Sequence, residues 1–195
     1  MYLYGASGHA KVIIELLEDH DILIEGIFDD SKIIKSIFNY EVNEYKGKLV
    51  EIIVSIGNNQ TRGKIAEKLE QYKCTFGKVI SKQAVVSKRT IIGKGTVVMS
   101  GAVINSSSRI GDHVIVNTSA SIDHDCTIED FVHVSPNATL CGNITVGRYT
   151  HIGAGVTILP NIKIGDHVII GAGSVVTKDI ESNTTVKGIP AKRDK

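Results

Sequence analysis

From Ile80 to Val176 an aliphatic residue stands at every sixth position: Ile80, Val86, Ile92, Val98, Ile104, Ile110, Val116, Ile122, Ile128, Val134, Leu140, Val146, Ile152, Ile158, Ile164, Ile170 and Val176. A helix returns to one face after about 3.6 residues and a flat strand after about two, so neither keeps a lone sixth residue buried. A chain that turns a corner every six residues does, and the period predicts a three-sided parallel β-helix. The residue two before each aliphatic is mostly small or β-branched (Ala84, Thr90, Thr96, Ala102, Ser108, Val114, Ala120, Cys126, Val132 and Ala138), as a second inward position requires. Glycine often follows the aliphatic (Gly93, Gly111, Gly147, Gly153, Gly165 and Gly171), which we read as corners with positive φ. Three hexapeptides close one coil, so residues three repeats apart stack at about 4.8 Å.

The hexapeptide pattern is absent before about residue 78, and 195 residues suffice for two domains, which we set at 1–77 and 78–195. Lys and Arg number 22 against 21 Asp and Glu, a balance that points to neither a nucleic-acid nor a membrane-surface partner. No apolar stretch reaches the ~20 residues of a membrane span, and the first residues lack the basic flank and apolar core of a signal peptide, so a cytoplasmic location is expected. Cys74, Cys126 and Cys141 are odd in number and match no metal-ligand spacing, which predicts reduced, packed thiols.

In the first third, Tyr2 to Tyr4 reads as a strand running into Gly5-Ala6-Ser7-Gly8-His9, after which Val12, Ile13, Leu16 and Leu17 recur at helical spacing. Ile24 to Phe28 is a second strand ending in Asp29-Asp30. Glu51 to Ile56 is a third, ending in Gly57-Asn58-Asn59, and Gln60 to Tyr72 is an amphipathic helix. This alternation predicts a small Rossmann-like parallel sheet with ligands at the carboxyl ends of its strands. The first turn has only Gly5 and Gly8, short of a dinucleotide fingerprint. It suits either a phosphate held at a helix N-terminus or a tight turn and nothing more. Asp29 and Asp30 suit either ribose and base contacts or a solvated strand end.

Five of the seven histidines lie in the repeat. His113 and His167 occupy the same place in identical Gly-Asp-His-Val units and read as structural. His133 and His151 stand one coil apart, each just before an inward aliphatic, and should stack facing outward. His124 sits at a corner within Ile122-Asp123-His124-Asp125-Cys126. A carboxylate beside an imidazole fixes its tautomer and steadies the imidazolium, which a general base needs. One coil on is Gly142, whose backbone N–H would be unobstructed beside that base, a donor to a developing oxyanion. A plain surface loop also contains such residues. Zinc bound across subunits, as in the γ-class carbonic anhydrases, needs histidines five apart plus a third, a spacing the repeat lacks, so no metal is expected.

The hexapeptide run, the Ile122–Cys126 corner and the tail from Val176-Thr177-Lys178-Asp179-Ile180 through Gly188-Ile189-Pro190-Ala191-Lys192 together resemble the left-handed β-helix acyltransferases. Tyr4-Gly5-Ala6-Ser7-Gly8-His9, Phe28-Asp29-Asp30 and Ile56-Gly57-Asn58-Asn59 narrow the resemblance to the bacterial nucleotide-sugar and sialic acid acetyltransferases of the PglD/NeuD type. Only residues 31 to 50 lack a matching signature.

The resemblance implies a homotrimer with acetyl-CoA in grooves between neighbouring β-helices and a UDP-linked 4-amino-4,6-dideoxy sugar entering from the N-terminal domain. It implies that His124 is the base, Asp125 its acidic partner (a glutamate in some members) and Gly142 the oxyanion donor. His133, Gly142, Ala154, Ala172, Lys178 and Pro190 then fall to acetyl-CoA, and Gly5, Ser7, Gly8, His9, Asp29, Asp30, Asn58 and Asn59 to the nucleotide sugar. The implied activity is N-acetylation of the sugar amine by direct transfer. O-acetylation of a sialic acid or another sugar hydroxyl uses the same residues, and a non-catalytic nucleotide-sugar-binding β-helix is the remaining alternative.

Overall fold

The computed structural model describes residues 1–194. The first part alternates strand and helix: β1 (Tyr2–Tyr4), α1 (Gly8–Asp19), β2 (Gly26–Phe28), β3 (Ser36–Ile37), β4 (Tyr40–Asn43), β5 (Glu51–Val54), α2 (Asn59–Gln71) and β6 (Thr75–Phe76). They form one sheet in the order β3-β4-β2-β1-β5-β6, parallel throughout except for the β3–β4 hairpin. The chain leaves β1 toward β2 on one side and reaches β5 on the other. The crevice beyond the carboxyl end of β1 is therefore the switch point where open α/β sheets take ligands.

Two details differ from the sequence reading. Residues 31–50, which carry no signature, build the β3–β4 hairpin around Phe38 in the left-handed region (φ 47). Val12 faces solvent, and α1 buries Ala10, Ile13, Ile14, Leu16 and Leu17 instead.

From Val79 each hexapeptide contributes one two-residue strand, and the strands stack into three parallel sheets that close a triangular coil. The register steps by one full coil, as in Val97↔Ile115, Val103↔Ser121 and Arg109↔Thr127. The sixth-position aliphatics fill the interior, together with the small residues two places earlier, from Ala102 through Ala138. Where that earlier residue carries a hydroxyl, backbone groups satisfy it. Ser108 donates to the Asp123 carbonyl (2.7 Å) and accepts from the Cys126 N–H (3.1 Å).

The glycines just after the aliphatics do not adopt positive φ. A Cβ at Gly93 would collide with Gly111 and Asp112, and one at Gly153 with Ala172, so these positions are small because the next coil lies against them. Positive φ falls instead three places after the aliphatic, without a break from Gly95 to Gly173. Leu140 is fully buried in this interior. Leu140→Ala is expected to cost about 2–5 kcal/mol in denaturant unfolding, since the rigid coil cannot collapse around the void.

Successive contacts of both helices step along the coil: His9 comes near His133 and His20 reaches Ile80, while Asn59 reaches Tyr149 and Glu70 pairs with Lys94. Leu17, Ile14, Ile13 and Ala10 of α1 pack on one coil face over Val79, Val97 and Ile115. At the far end of α1, His9 comes level with His133 (ring centroids 6.5 Å). Twelve residues of helix are about 18 Å long, enough to cover three or four rungs and no more. The outward column accordingly switches from aliphatic to His133 and His151 where α1 stops covering it. Among the described residues no helix is long and apolar enough to cross a membrane.

Candidate active site

His124 lies in the corner between the strands Ser121–Ile122 and Thr127–Ile128. Asp123 accepts from the His124 N–H (2.8 Å) and is itself held by the Asn105 amide (2.8 Å). Nδ1 of His124 lies 2.8 Å from Oδ2 of Asp125, whose backbone sits in the left-handed region (φ 59) and so turns the carboxylate back toward the ring. The Asp125 hydrogen bond, and then the Asp123 charge, raise the His124 pKa above the ordinary imidazole value of 6.5. With Nδ1 facing a carboxylate, Nε2 is the free nitrogen.

The ring lies over Gly142. A Cβ there would stand 2.6 Å from Cε1 and 2.7 Å from Nε2 of His124, so any larger residue would displace the ring or the corner. The Gly142 N–H has no acceptor among the described residues, while its carbonyl accepts from Asn161. An imidazole with a free nitrogen and a bare N–H thus share one corner.

A second group assembles on the face that α1 leaves uncovered. The His133 and His151 rings stack edge to face (4.9 Å, 81°). Asn117 receives the Thr118 N–H on its Oδ1 (2.8 Å), so its Nδ2 donates to His133 Nε2 (3.1 Å) and the imidazole proton belongs on Nδ1. Burial, with neighbouring cationic groups, pulls the His133 pKa down to about 3 and that of His9 down to about 4, and both are neutral. Among the described residues, Nε2 of His9 and Nδ1 of His133 are buried without a hydrogen-bond partner.

At the start of α1, Ser7 provides no side-chain cap, and the N–H groups of Ser7, Gly8 and His9 have no acceptor among the described residues. Gly5 (φ 112) lets β1 pass close to Ser55, where a Cβ would meet the Ser55 carbonyl at 2.9 Å. Asp29 holds the turn, accepting from Ala6 N–H (2.7 Å) and Ser31 N–H (2.7 Å). Asp30 accepts from the Tyr4 hydroxyl (2.6 Å) and pairs with Lys68 (3.6 Å). Both aspartates line a cavity of about 450 Å³ with Lys32, Lys35, Asn43 and Lys68.

At the start of α2, Asn58 is the cap, accepting from Thr61 N–H (2.9 Å). The Asn59 amide donates to the carbonyls of Tyr149 and Thr150 (both 3.0 Å) and accepts from Arg62 (2.9 Å). These bonds dock the helix on the coil. Gly57, Asn58, Asn59 and Gln60 form one wall of a cavity of about 420 Å³ whose other wall is His133, Tyr149, His151, His167 and Ile169.

The sequence reading missed Arg62, the first arginine in the chain and the one between residues 1 and 88. It is 1% exposed. It also missed a column of rings on the positive-φ corner: His113, Phe131, Tyr149 and His167 stack nearly parallel, with centroids 4.8–5.1 Å apart. His113 lies within this stack, with Phe76 against its edge, and burial takes its pKa down to about 4. The signal was present, since these residues recur at one repeat position.

The remaining candidates are spread over different corners. Gly142 and Lys178 share the His124 corner, two coils apart, whereas Ala154 and Ala172 stack on another, where Gly173 N–H bonds the Ala154 carbonyl (2.8 Å). Pro190 belongs to the tail that folds back on Val175 through the Ala191 N–H (2.8 Å). His133 stands in the middle of the face opposite the His124 corner, so one chain does not bring those two histidines together. Cys74 and Cys126 are buried free thiols and Cys141 is half-buried.

Residues 1–69 match the family described as PglD N-terminal domain, and residues 125–160 and 143–178 match the bacterial transferase hexapeptide (six repeats). Two solved structures extend the likeness over the whole chain. PerB from Caulobacter crescentus, in complex with CoA and GDP-perosamine, is 33% identical with a TM-score of 0.94, covering 100% of this chain and 96% of that one. The acetyltransferase domain of PglB from Neisseria gonorrhoeae is 36% identical with a TM-score of 0.91 and covers 98% of each chain. An uncharacterized protein of Acanthamoeba polyphaga mimivirus is 34% identical over 127 residues, 57% of this chain, and the chain spans about a quarter (24%) of that relative's length. A small α/β domain joined to a coil of hexapeptide repeats, matched end to end by PerB and the PglB acetyltransferase domain, assigns the chain to the PglD-type bacterial acetyltransferase family, built on the left-handed parallel β-helix.

Proposed function

We propose that the protein transfers an acetyl group from acetyl-CoA to the amine of a nucleotide-linked amino sugar. The observation that carries this reading is the His124–Asp125 pair laid over the unpaired Gly142 N–H. Nε2 of His124 takes the proton from the sugar amine as the C–N bond forms, and Gly142 N–H donates to the carbonyl oxygen as it gains charge. The C–S bond breaks, the proton passes from His124 to the departing sulfur, and coenzyme A leaves as its thiol. Neither a cysteine nor a serine becomes acylated.

The acceptor side is supported by the start of α1. Three free N–H groups at a helix N-terminus suit the diphosphate of a nucleotide sugar, and the cavity at Asp29 and Asp30 suits its nucleoside. Relatives solved with CoA and GDP-perosamine, or with acetyl coenzyme A, support the same substrate classes. Within that class we propose a UDP-linked 4-amino-4,6-dideoxy sugar. Because His124 and His133 lie on opposite sides of one coil, we propose that a homotrimer closes the site. Gly142 and Lys178 of one copy would then face His133, Ala154, Ala172 and Pro190 of the next across the acetyl-CoA groove.

Incubation with acetyl-CoA and a panel of UDP- or GDP-linked 4-amino sugars and a sialic acid, followed by mass spectrometry and NMR of the product, tests the reading. An acetamide at the sugar nitrogen is expected. Acetylation of a sialic acid hydroxyl instead, or of nothing, contradicts it. A pH profile checks the base. His124 is active when neutral, so kcat/KM rises with pH through its pKa, and the raised value places that acid limb above 6.5. Asp125→Asn removes the larger cause of the shift and is expected to move the limb to lower pH.

A further inference from the structure

No carboxylate among the described residues pairs with Arg62, yet all five of its N–H donors are engaged. Nε donates to the His113 carbonyl (2.8 Å), Nη1 to those of Ile56 (3.0 Å) and Gly57 (3.2 Å), and Nη2 to Asn59 Oδ1 (2.9 Å) and the Phe131 carbonyl (2.8 Å). Gly57 and Asn59 stand in one wall of the 420 Å³ cavity, and Phe131 leads through Val132 into His133 on the other. A buried guanidinium is costly unless its acceptors are fixed, so the chain has built its acceptors from two domains around one cation. We propose that Arg62 is a positioning residue for the cavity between the nucleotide-sugar candidates Asn58 and Asn59 and His133: it sets the distance between the α2 N-terminus and the His133–His151 column and holds a fixed positive charge beside both imidazoles.

The groups facing that column support the electrostatic half. His133 faces His151, His9 and Arg62, and the charge facing His151 is Arg62, so the guanidinium adds to burial in disfavouring protonation of both imidazoles. Burial itself lowers the pKa of Arg62 only to about 9, so it stays charged at neutral pH.

The inference deepens the acetyl-transfer reading, and only its kinetic arm rests on that reading. Arg62→Lys keeps the cation and loses the fork. It is expected to raise KM for the amino-sugar acceptor about tenfold while KM for acetyl-CoA stays within about twofold. Arg62→Met also loses the charge, and in NMR titrations the His133 and His151 imidazoles should then protonate at higher pH than in the parent protein. Folded variants with unchanged acceptor KM and unchanged imidazole titrations overturn the proposal. Where neither Arg62 variant folds, Asn59→Ala removes one acceptor of the guanidinium and should raise the acceptor KM several-fold while KM for acetyl-CoA stays within about twofold. An unmoved acceptor KM there overturns it equally. A parent protein that shows no acetyl transfer fails the functional reading alone, since the titration arm needs no turnover.

Discussion

Replacing His124 with alanine is expected to lower turnover by about 10²–10⁴-fold, the range that a positioned general base contributes. Its side chain is largely exposed (59%) and packs on a glycine rather than in the coil interior, so the melting temperature of the variant should match the parent's. KM for acetyl-CoA should change little, because the proton transfer is made in the transition state and not on binding. Initial-rate kinetics beside a thermal melt check both statements. Normal turnover in a folded His124→Ala protein contradicts the role, and a large fall in melting temperature indicates that the ring braces the corner.

Gly142→Ala is expected to lower turnover about 10²-fold or more, although it adds a single methyl group. The new Cβ would stand inside the space of the His124 ring, 2.6 Å from Cε1. Two outcomes are open to the side chains, and both harm the site. Either the imidazole swings away from Asp125 and loses the 2.8 Å contact that fixes its tautomer, or it stays and the corner backbone carrying the Gly142 N–H shifts. Because the clash is with one mobile, exposed ring and not with the coil, stability should fall far less than activity. Ala154, also exposed at a coil corner, is the control: Ala154→Gly should leave the His124 titration unchanged where Gly142→Ala alters it.

The coil was legible because its rule is strict: one aliphatic in six, stacked one coil apart, places His133 over His151 and Gly142 beside His124 from the sequence alone. The same rule was misapplied to the glycines, since composition reports that a position is small without saying whether φ or a neighbouring coil demands it. Gly93 and Gly153 are small through contact, while Asp125 and Asn143, with ordinary side chains, carry the positive φ. The hairpin over residues 36–43 was invisible because its two short strands bury little and pair through backbone. Arg62 escaped notice for a different reason. A helical arginine looks like a solvated charge, and only the docking of α2 on the coil reveals that carbonyls from two domains surround it. Likewise, the distance between the His124 corner and the His133 face follows from closing the triangle, which no local motif encodes.

One measurement tests the central claim most directly: the initial rate of coenzyme A release from acetyl-CoA with a UDP-linked 4-amino-4,6-dideoxy sugar and with its 4-hydroxy counterpart, in the parent protein and in His124→Ala. The account predicts release with the amine, little with the hydroxyl, and loss of the amine rate by about 10²–10⁴-fold in the variant. Equal release with both sugars, or an amine rate that survives loss of His124, would contradict it.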